Sequence, residues 1–142
     1  MLKRHKIFLD TSVLLSGLNS PQGASGIIIS LFRIKKIDVV ISPEVKAETE
    51  RVIRRKFPDL GGPFIDFMSH NPDITKTATT KEIRIAYKQI SSEDAPIFAG
   101  AVKSKAPAIV TLDKKFKELI SRSIKIKALT PGEFLASYRK PS

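Results

Sequence analysis

The fold is decided by residues 108–113, which read AIVTLD. This run of apolar and β-forming side chains ends in Asp113 and is typical of a strand that is buried on both faces. Residues 7–10, which read IFLD, have the same character and end in Asp10. The two stretches together indicate a sheet in which an aspartate follows each of two buried strands.

Outward from these two strands, strand and helix signals alternate along the chain. Residues 38–41 (DVVI) predict another buried strand, and Ser42-Pro43-Glu44 after it is typical of a helix start. Residues 81–90 fit a strand or a helix and are left open. The other signals predict helices over 23–36, 42–57, 64–68, 91–102, 116–120 and 131–138, a turn over 58–63, and strands over 73–77 and 124–129. This alternation implies a parallel sheet that is covered by helices on both faces.

The composition restricts the class of protein and the chemistry that it can perform. The chain has 142 residues, a formal net charge of +11 and no cysteine. The absence of cysteine excludes thiol nucleophiles, disulfides and thiolate metal sites. A charge this far above what solubility requires indicates a polyanionic partner.

The amino-terminal residues carry positive charges followed by an apolar stretch, as a signal peptide does. Asp10 lies inside that stretch and argues against this interpretation, because a carboxylate is costly in a membrane. No run of 18 apolar residues follows anywhere in the sequence. We therefore expect a cytoplasmic protein with no membrane contact.

Four carboxylates are candidates for a common site. In open parallel sheets, sites form beyond the carboxyl ends of the strands where the strand order reverses, which is where Asp10 and Asp113 would meet. Asp94 at a helix start can lie at the same edge, and Glu48 borders the apolar stripe of its own helix. Such acids repel one another unless cations lie between them. Ligation by oxygen alone favours Mg²⁺ or Mn²⁺.

Each of these assignments has an alternative. Glu44 and Glu50 compete with Glu48, although an acid in the first turn can simply complement the helix dipole. Asp94 with Ser91 matches a capping box in aspartate form, which would make its role structural. Glu93 is then the replacement ligand.

The residues resemble a known family, the PIN (PilT N-terminus) domain, and specifically its toxin-like (VapC-like) subgroup. The resemblance rests on four motifs in order and on the ending of the chain, which are IFLDTS at 7–12, SPEVKAE at 42–48, EDAPIFAGA at 93–101, VTLD at 110–113 and LTPGEFL at 129–135. It implies a single PIN-like domain over residues 1–142. The expected fold is an α/β fold with a mostly parallel sheet of four to five strands, in the order 3-2-1-4-5, and helices on both faces.

The resemblance also implies an activity and a set of site residues. The family's metal ligands fall on Asp10, Glu48, Asp94 and Asp113, with Ser12 supporting Asp10. The implied activity is Mg²⁺- or Mn²⁺-dependent hydrolysis of RNA, and the toxin-like subgroup implies an antitoxin partner and a tendency to form homodimers. Processing of ribosomal or transfer RNA is an open alternative, as is a degenerate PIN module that binds RNA or a protein without cleaving.

Two further features bear on the predicted site. Thr111, two residues before Asp113, can hydrogen-bond to the ligand shell, although a threonine in a strand is often only a β-former. Residues 103–127 hold eight Lys and Arg. Lys114 and Lys115 directly follow Asp113, so we predict that they bind nucleic-acid phosphates. The lack of tryptophan and the presence of only two tyrosines argue against a stacking platform for bases.

Two other enzyme and signalling classes place an aspartate after the first strand. A haloacid-dehalogenase phosphatase needs a second acid two residues later, where this chain has Ser12. A response-regulator receiver domain needs an acidic pair near the end of the first strand, which is also missing.

Overall fold

The computed structural model describes residues 4–123 and 125–140. Its centre is a sheet of five strands in the order β3-β2-β1-β4-β5, in which every neighbouring pair is parallel. The strands are β1 (His5–Leu9), β2 (Ile37–Ile41), β3 (Asp73–Ile74), β4 (Ala108–Val110) and β5 (Lys127–Leu129). The predicted α/β class and strand order are confirmed.

Eight α-helices connect and flank the strands in the described part of the chain. They are α1 (Thr11–Asn19), α2 (Ala24–Arg33), α3 (Pro43–Lys56), α4 (Gly61–Ser69), α5 (Thr80–Ile90), α6 (Ala95–Lys103), α7 (Lys114–Ser121) and α8 (Pro131–Arg139). None of these helices combines the length and the apolar character needed to cross a membrane.

The central strand β1 fixes the position of the candidate site. It pairs with β2 on one side and with β4 on the other, so the chain reverses its direction of travel across the sheet at β1. Because parallel crossovers are right-handed, the two directions of travel put their connections on opposite faces. The carboxyl ends of β1 and β4 therefore border the crevice in which α/β proteins bind ligands.

The core explains why these two strands lack the polar alternation of a half-exposed sheet. Phe8, Leu9, Ile109 and Val110 are all 0% exposed. Burying one such side chain stabilises a fold by about 1.5–3 kcal/mol, so the paired apolar runs hold β1 and β4 in register. The core therefore fixes the carboxyl ends of β1 and β4, after which Asp10 and Asp113 follow.

Four sequence predictions need correction, and two of them concern the lengths of β3 and β5. Residues 11–19 form α1, which the sequence analysis did not predict because it treated them as an apolar stretch following β1. Residues 58–63 are not a plain turn: a short 3-10 helix over Pro58–Leu60 leads directly into α4. Pro63 is tolerated there because it lies in the first turn, where its missing N–H costs no hydrogen bond.

The ambiguous residues 81–90 belong to helix α5. Its start is fixed by a capping box, in which the Thr79 hydroxyl accepts from the Glu82 N–H and the Glu82 carboxylate accepts from the Thr79 N–H. The predicted last strand is shorter than residues 124–129, since β5 covers Lys127–Leu129, and Ile124 lies outside the described residues. Similarly, β3 covers only Asp73–Ile74 of the predicted 73–77.

Candidate metal centre

Asp10 lies directly after β1 and begins helix α1. Its side chain is 7% exposed and accepts three hydrogen bonds. The Thr11 N–H donates to Oδ1 at 2.8 Å, while the hydroxyls of Ser12 and Thr111 donate to Oδ2 at 3.2 and 2.7 Å. A buried carboxylate with this many donors is held in one orientation.

Ser12 and Thr111 connect Asp10 to the segment that follows β4. The Ser12 hydroxyl accepts from the Leu112 N–H at 3.2 Å, and the Thr111 hydroxyl accepts from the Asp113 N–H at 3.1 Å. Each hydroxyl therefore donates to the carboxylate of Asp10 and accepts from a backbone amide in the segment after β4. The network joins two parts of the chain that are far apart in sequence, since Thr111 lies 101 residues after Asp10.

The electrostatic surroundings of Asp10 work against its charged form. Burial raises the pKa of this carboxyl, the hydrogen bonds from Thr111, Thr11 and Ser12 oppose that rise, and the charge of Asp94 adds to it. The pKa ends above its ordinary value. Since burial and a like charge penalise the carboxylate, a cation beside it would be strongly favourable.

Asp94 lies at the start of α6 and is half-buried. Its side chain makes no cap hydrogen bond to the helix, and Ser91 is instead the left-handed C-cap of α5, with φ of 47°. The capping box proposed for Ser91 and Asp94 is therefore not formed. The Ser92 hydroxyl donates to Asp94 Oδ2 at 3.4 Å and accepts from the Asp94 N–H at 3.1 Å.

The charges of the other candidate carboxylates affect the pKa of Asp94. Burial raises its pKa most, followed by the charge of Asp113, and the charges of Glu48 and Glu93 raise it further. Together with its effect on Asp10, this puts Asp94 within electrostatic reach of all the other predicted ligands. The excess negative charge at this edge is what a divalent cation would neutralise.

Asp113 and Glu48 are less constrained than Asp10. Asp113 is exposed and caps α7 through its Oδ1, which accepts from the Phe116 N–H at 3.0 Å, so its second oxygen makes no helix contact. Glu48 is half-buried on α3, and its nearest cation is Arg51 at 3.9 Å. Both side chains can move without breaking the core.

The two acids that compete with Glu48 have other surroundings. Glu50 pairs with Lys46 at 3.2 Å, as a solvated i,i+4 pair does. Glu44 has one buried oxygen, Oε1, without a hydrogen-bond partner. This oxygen lies beside Gly100 of α6, 3.9 Å from the position that a Cβ atom would take if Gly100 were replaced by alanine. Neither acid is among the main causes of the raised pKa of Asp94 or Asp10.

The chemistry of these donors fits a hard divalent cation, because every donor is an oxygen and the cluster is acidic. Within residues 4–123 and 125–140, however, no three Asp, Glu or His side chains are already close enough to hold one ion together. Asp10 is fixed in place, and the exposed or half-buried acids around it stand apart. Mutual repulsion opposes a closer approach of these carboxylates when no cation lies between them.

The two lysines after Asp113 differ in their surroundings. Lys115 lines a hollow of about 330 Å³ together with Asp94 and Asp113, whereas Lys114 is exposed and does not line it. The floor of this hollow includes Phe116 and Leu119. Ser92 was not among the site residues predicted from sequence, although its hydroxyl bonds to both the carboxylate and the backbone N–H of Asp94. The available signal was a serine two residues before an aspartate at a helix start.

Comparison with known proteins identifies the family and the fold. The family model of the PIN domain matches residues 6–115. A chain in the crystal structure of VapBC2 from Rickettsia felis, bound to a DNA fragment from the promoter, is 17% identical with a TM-score of 0.63, over 88% of this chain and 98% of that one. PAE2754 from Pyrobaculum aerophilum is 11% identical with a TM-score of 0.66, over 95% of this chain and 97% of that one. No curated protein matches the sequence. At these identities the two structures show a shared fold.

Proposed function

The chain belongs to the PIN domain family, and on that premise we propose that it is a metal-dependent ribonuclease that hydrolyses RNA phosphodiester bonds, acting as the toxin of a toxin–antitoxin pair. The observation that carries this proposal is the carboxylate of Asp10. It is buried, it accepts hydrogen bonds from three donors, and the negative charge of Asp94 acts on it. An ionised carboxylate in that position lowers the stability of the folded chain, because burial and the repulsion from Asp94 both oppose its charge.

Asp10, Glu48, Asp94 and Asp113 are the residues that would hold Mg²⁺ or Mn²⁺. A divalent cation bound there supplies a water with a lowered pKa and neutralises negative charge that develops on the phosphate. No cysteine exists in the chain, and the two histidines are both exposed, at positions 5 and 70. In this proposal the chain's own contribution is position and electrostatics.

The hydroxyls of Ser12 and Thr111 are positioning groups in this proposal. They hold Oδ2 of Asp10 from two sides, at 3.2 and 2.7 Å, so the side chain loses little freedom when a cation binds. Each hydroxyl is itself oriented by a backbone amide. Loss of either hydroxyl would leave the carboxylate of Asp10 less firmly oriented for a cation.

Lys114 and Lys115 complete the proposed substrate site. Both are exposed and follow Asp113 directly, so their ammonium groups can neutralise RNA phosphates beside the carboxylates. Lys115 also borders the hollow next to Asp94 and Asp113. The net charge of +11 supports attraction of a polyanion over a longer range.

The toxin role is supported by two observations of different kinds. The fold is similar to that of a chain in the VapBC2 structure, which was determined with promoter DNA. The ending LTPGEFL at residues 129–135 also resembles the toxin-like subgroup. We accordingly propose an antitoxin protein as a partner and a homodimer as the assembled state.

The proposal is tested by RNA cleavage with the purified protein in Mg²⁺, in Mn²⁺ and in chelator. We expect cleavage only with a divalent ion, and none from Asp10→Asn under any condition. Cleavage that continues in chelator would contradict the metal assignment. Binding of RNA without cleavage in either metal, across structured and unstructured RNAs, would show instead a degenerate module.

A further inference from the structure

Helix α3 carries acids in its first half and bases in its second half on one face. At 3.6 residues per turn, Glu44, Glu48, Arg51 and Arg55 fall within about 60° of one another around the helix axis. The ion pair between Arg51 and Glu48 at 3.9 Å confirms that these two side chains share a face. The buried stripe of α3, formed by Val45, Thr49 and Ile53, lies on another side.

The packing of α3 against α6 shows where this face leads. Near the start of α3, Ser42 and Glu44 lie beside Gly100, such that a Cβ on Gly100 would be 3.0 Å from the Ser42 Cβ. One turn further along α3 lies Glu48, about 6 Å along the helix axis from Glu44. The carboxyl-terminal half of α3 extends past Glu48, away from the contact with Gly100.

The residues in that extension are exposed and basic. Arg51, Arg54, Arg55 and Lys56 are all exposed, and α3 ends at Lys56. Within the described residues, Arg54, Arg55 and Lys56 form no ion pair, while Arg51 has only its 3.9 Å contact with Glu48. Arg55 stands about 10 Å beyond Glu48 along the helix axis.

We infer that this basic extension of α3, with Arg51 and Arg55 on the face of Glu48, binds the phosphate backbone of the RNA that leads into the carboxylate cluster. The inference rests on the proposed function for the identity of the polyanion. Arginine suits this role because its planar guanidinium donates two parallel hydrogen bonds to a phosphate. The acidic half of the face would then lie at the cations, and the basic half at the adjoining phosphates.

A simpler role for these residues is electrostatic. Basic side chains in the last turn of a helix stabilise its dipole by about 0.3–1 kcal/mol each, whichever way they point. Arg54 and Arg55 separate the two explanations, because they are adjacent, equally charged and at the same helix end. They differ in direction by about 100° around the axis, and only Arg55 lies on the face of Glu48. Arg54→Ala is thus a matched control for Arg55→Ala.

The experiment measures binding of a short fluorescent single-stranded RNA by anisotropy, in chelator, as a function of potassium chloride. We expect Arg55→Ala to weaken binding about five- to tenfold. Its slope of log affinity against log salt should fall by about 0.7. Arg54→Ala should stay within about twofold of the unaltered chain. Both variants should lose the same small amount of thermal stability, since both lose one charge from the helix end.

The outcomes separate this inference from the proposed function. If the chain cleaves RNA but the two variants bind RNA alike, the α3 surface is refuted and the nuclease proposal stands. If no metal produces cleavage but only Arg55→Ala loses RNA binding, the catalytic proposal fails and the RNA surface stands. If Arg55→Ala weakens binding to poly-glutamate as much as to RNA at equal ionic strength, the surface fits an acidic protein, and the assignment to RNA is overturned.

Discussion

Replacing Thr111 with valine removes one hydroxyl from the network around Asp10 while keeping the shape of the side chain. Thr111 is 0% exposed, its hydroxyl donates to Asp10 Oδ2 at 2.7 Å, and it accepts from the Asp113 N–H at 3.1 Å. Because valine fills the same volume, the change leaves no cavity. The predicted loss is that of a hydrogen bond to a charged group, about 2 kcal/mol in the free energy of unfolding.

For a chain of this length, that loss corresponds to a fall in Tm of about 7 °C. The measurement is thermal unfolding by circular dichroism at neutral pH in chelator. The effect should shrink as the pH falls and Asp10 becomes protonated. The pKa of Asp10 is raised in the folded state, so the ionised carboxylate destabilises the folded chain as the pH rises above 3.8, the value in the unfolded chain. Loss of the Thr111 hydroxyl adds to this destabilisation only at pH values at which Asp10 is ionised.

Thr111→Ser is the control, because it keeps the hydroxyl and loses a methyl group. We expect this variant to retain metal-dependent RNA cleavage with a modest loss of Tm, whereas Thr111→Val should lose both stability and cleavage. A Tm for Thr111→Val within about 2 °C of the unaltered chain would refute the reasoning, since the hydroxyl would then contribute nothing that water could not replace.

Three further predictions concern charge. Asp10→Asn should abolish cleavage while its Tm in chelator holds or rises, because burial already raises the pKa of Asp10 and its charge costs stability; a folded variant that cleaves at the normal rate would exclude Asp10 as a ligand. Hydrogen bonds from Lys103 and, after it, from the Thr79 backbone N–H lower the pKa of Glu82 from 4.5 to about 2. The Tm difference between the unaltered chain and Glu82→Gln should thus be complete above pH 4.5 and disappear as the pH falls toward 2, and a difference independent of pH would exclude the ionised carboxylate of Glu82 as its cause. The double variant Lys114→Ala/Lys115→Ala should flatten the salt dependence of RNA affinity, and an unchanged slope would place the phosphate contacts elsewhere.

The fold could be predicted from sequence where local and long-range signals agree. The apolar runs that end in Asp10 and Asp113 need burial on both faces, and a parallel sheet is the arrangement that provides it. Residues 11–19 were missed because they were treated as part of one apolar stretch with β1, although Asp10 between the two is a typical helix N-cap and was the available signal. For α5, the Thr79 and Glu82 spacing of a capping box was present in the sequence and would have resolved the ambiguity.

The contacts of Asp10 with Ser12 and Thr111 could be predicted from sequence, whereas the surroundings of Asp94 could not. The position of Asp10 beside Thr111 follows from two neighbouring parallel strands that end at one edge. Whether Asp94 caps its helix could not be decided, because the same spacing suits a capping box and a free carboxylate. The structure decides it through Ser91, whose left-handed backbone ends α5 and prevents it from capping α6. The close approach of the start of α3 to Gly100 depends on tertiary packing, for which sequence alone holds no signal.

The unequal constraint on the proposed ligands has an energetic reason. If all of the carboxylates were as rigid as Asp10, their mutual repulsion would be a permanent cost to the folded chain, since none could move away. Only Asp10 is buried and bonded by three donors, whereas Asp113 is exposed and Glu48 and Asp94 are half-buried. The network therefore fixes one oxygen pair as a reference point, and the other acids can separate in the absence of a cation. Binding of a cation would offset the repulsion that arises when the carboxylates come together. Because Asp10 is the one fixed ligand, we expect metal affinity to depend most steeply on the contacts that Ser12 and Thr111 make with it.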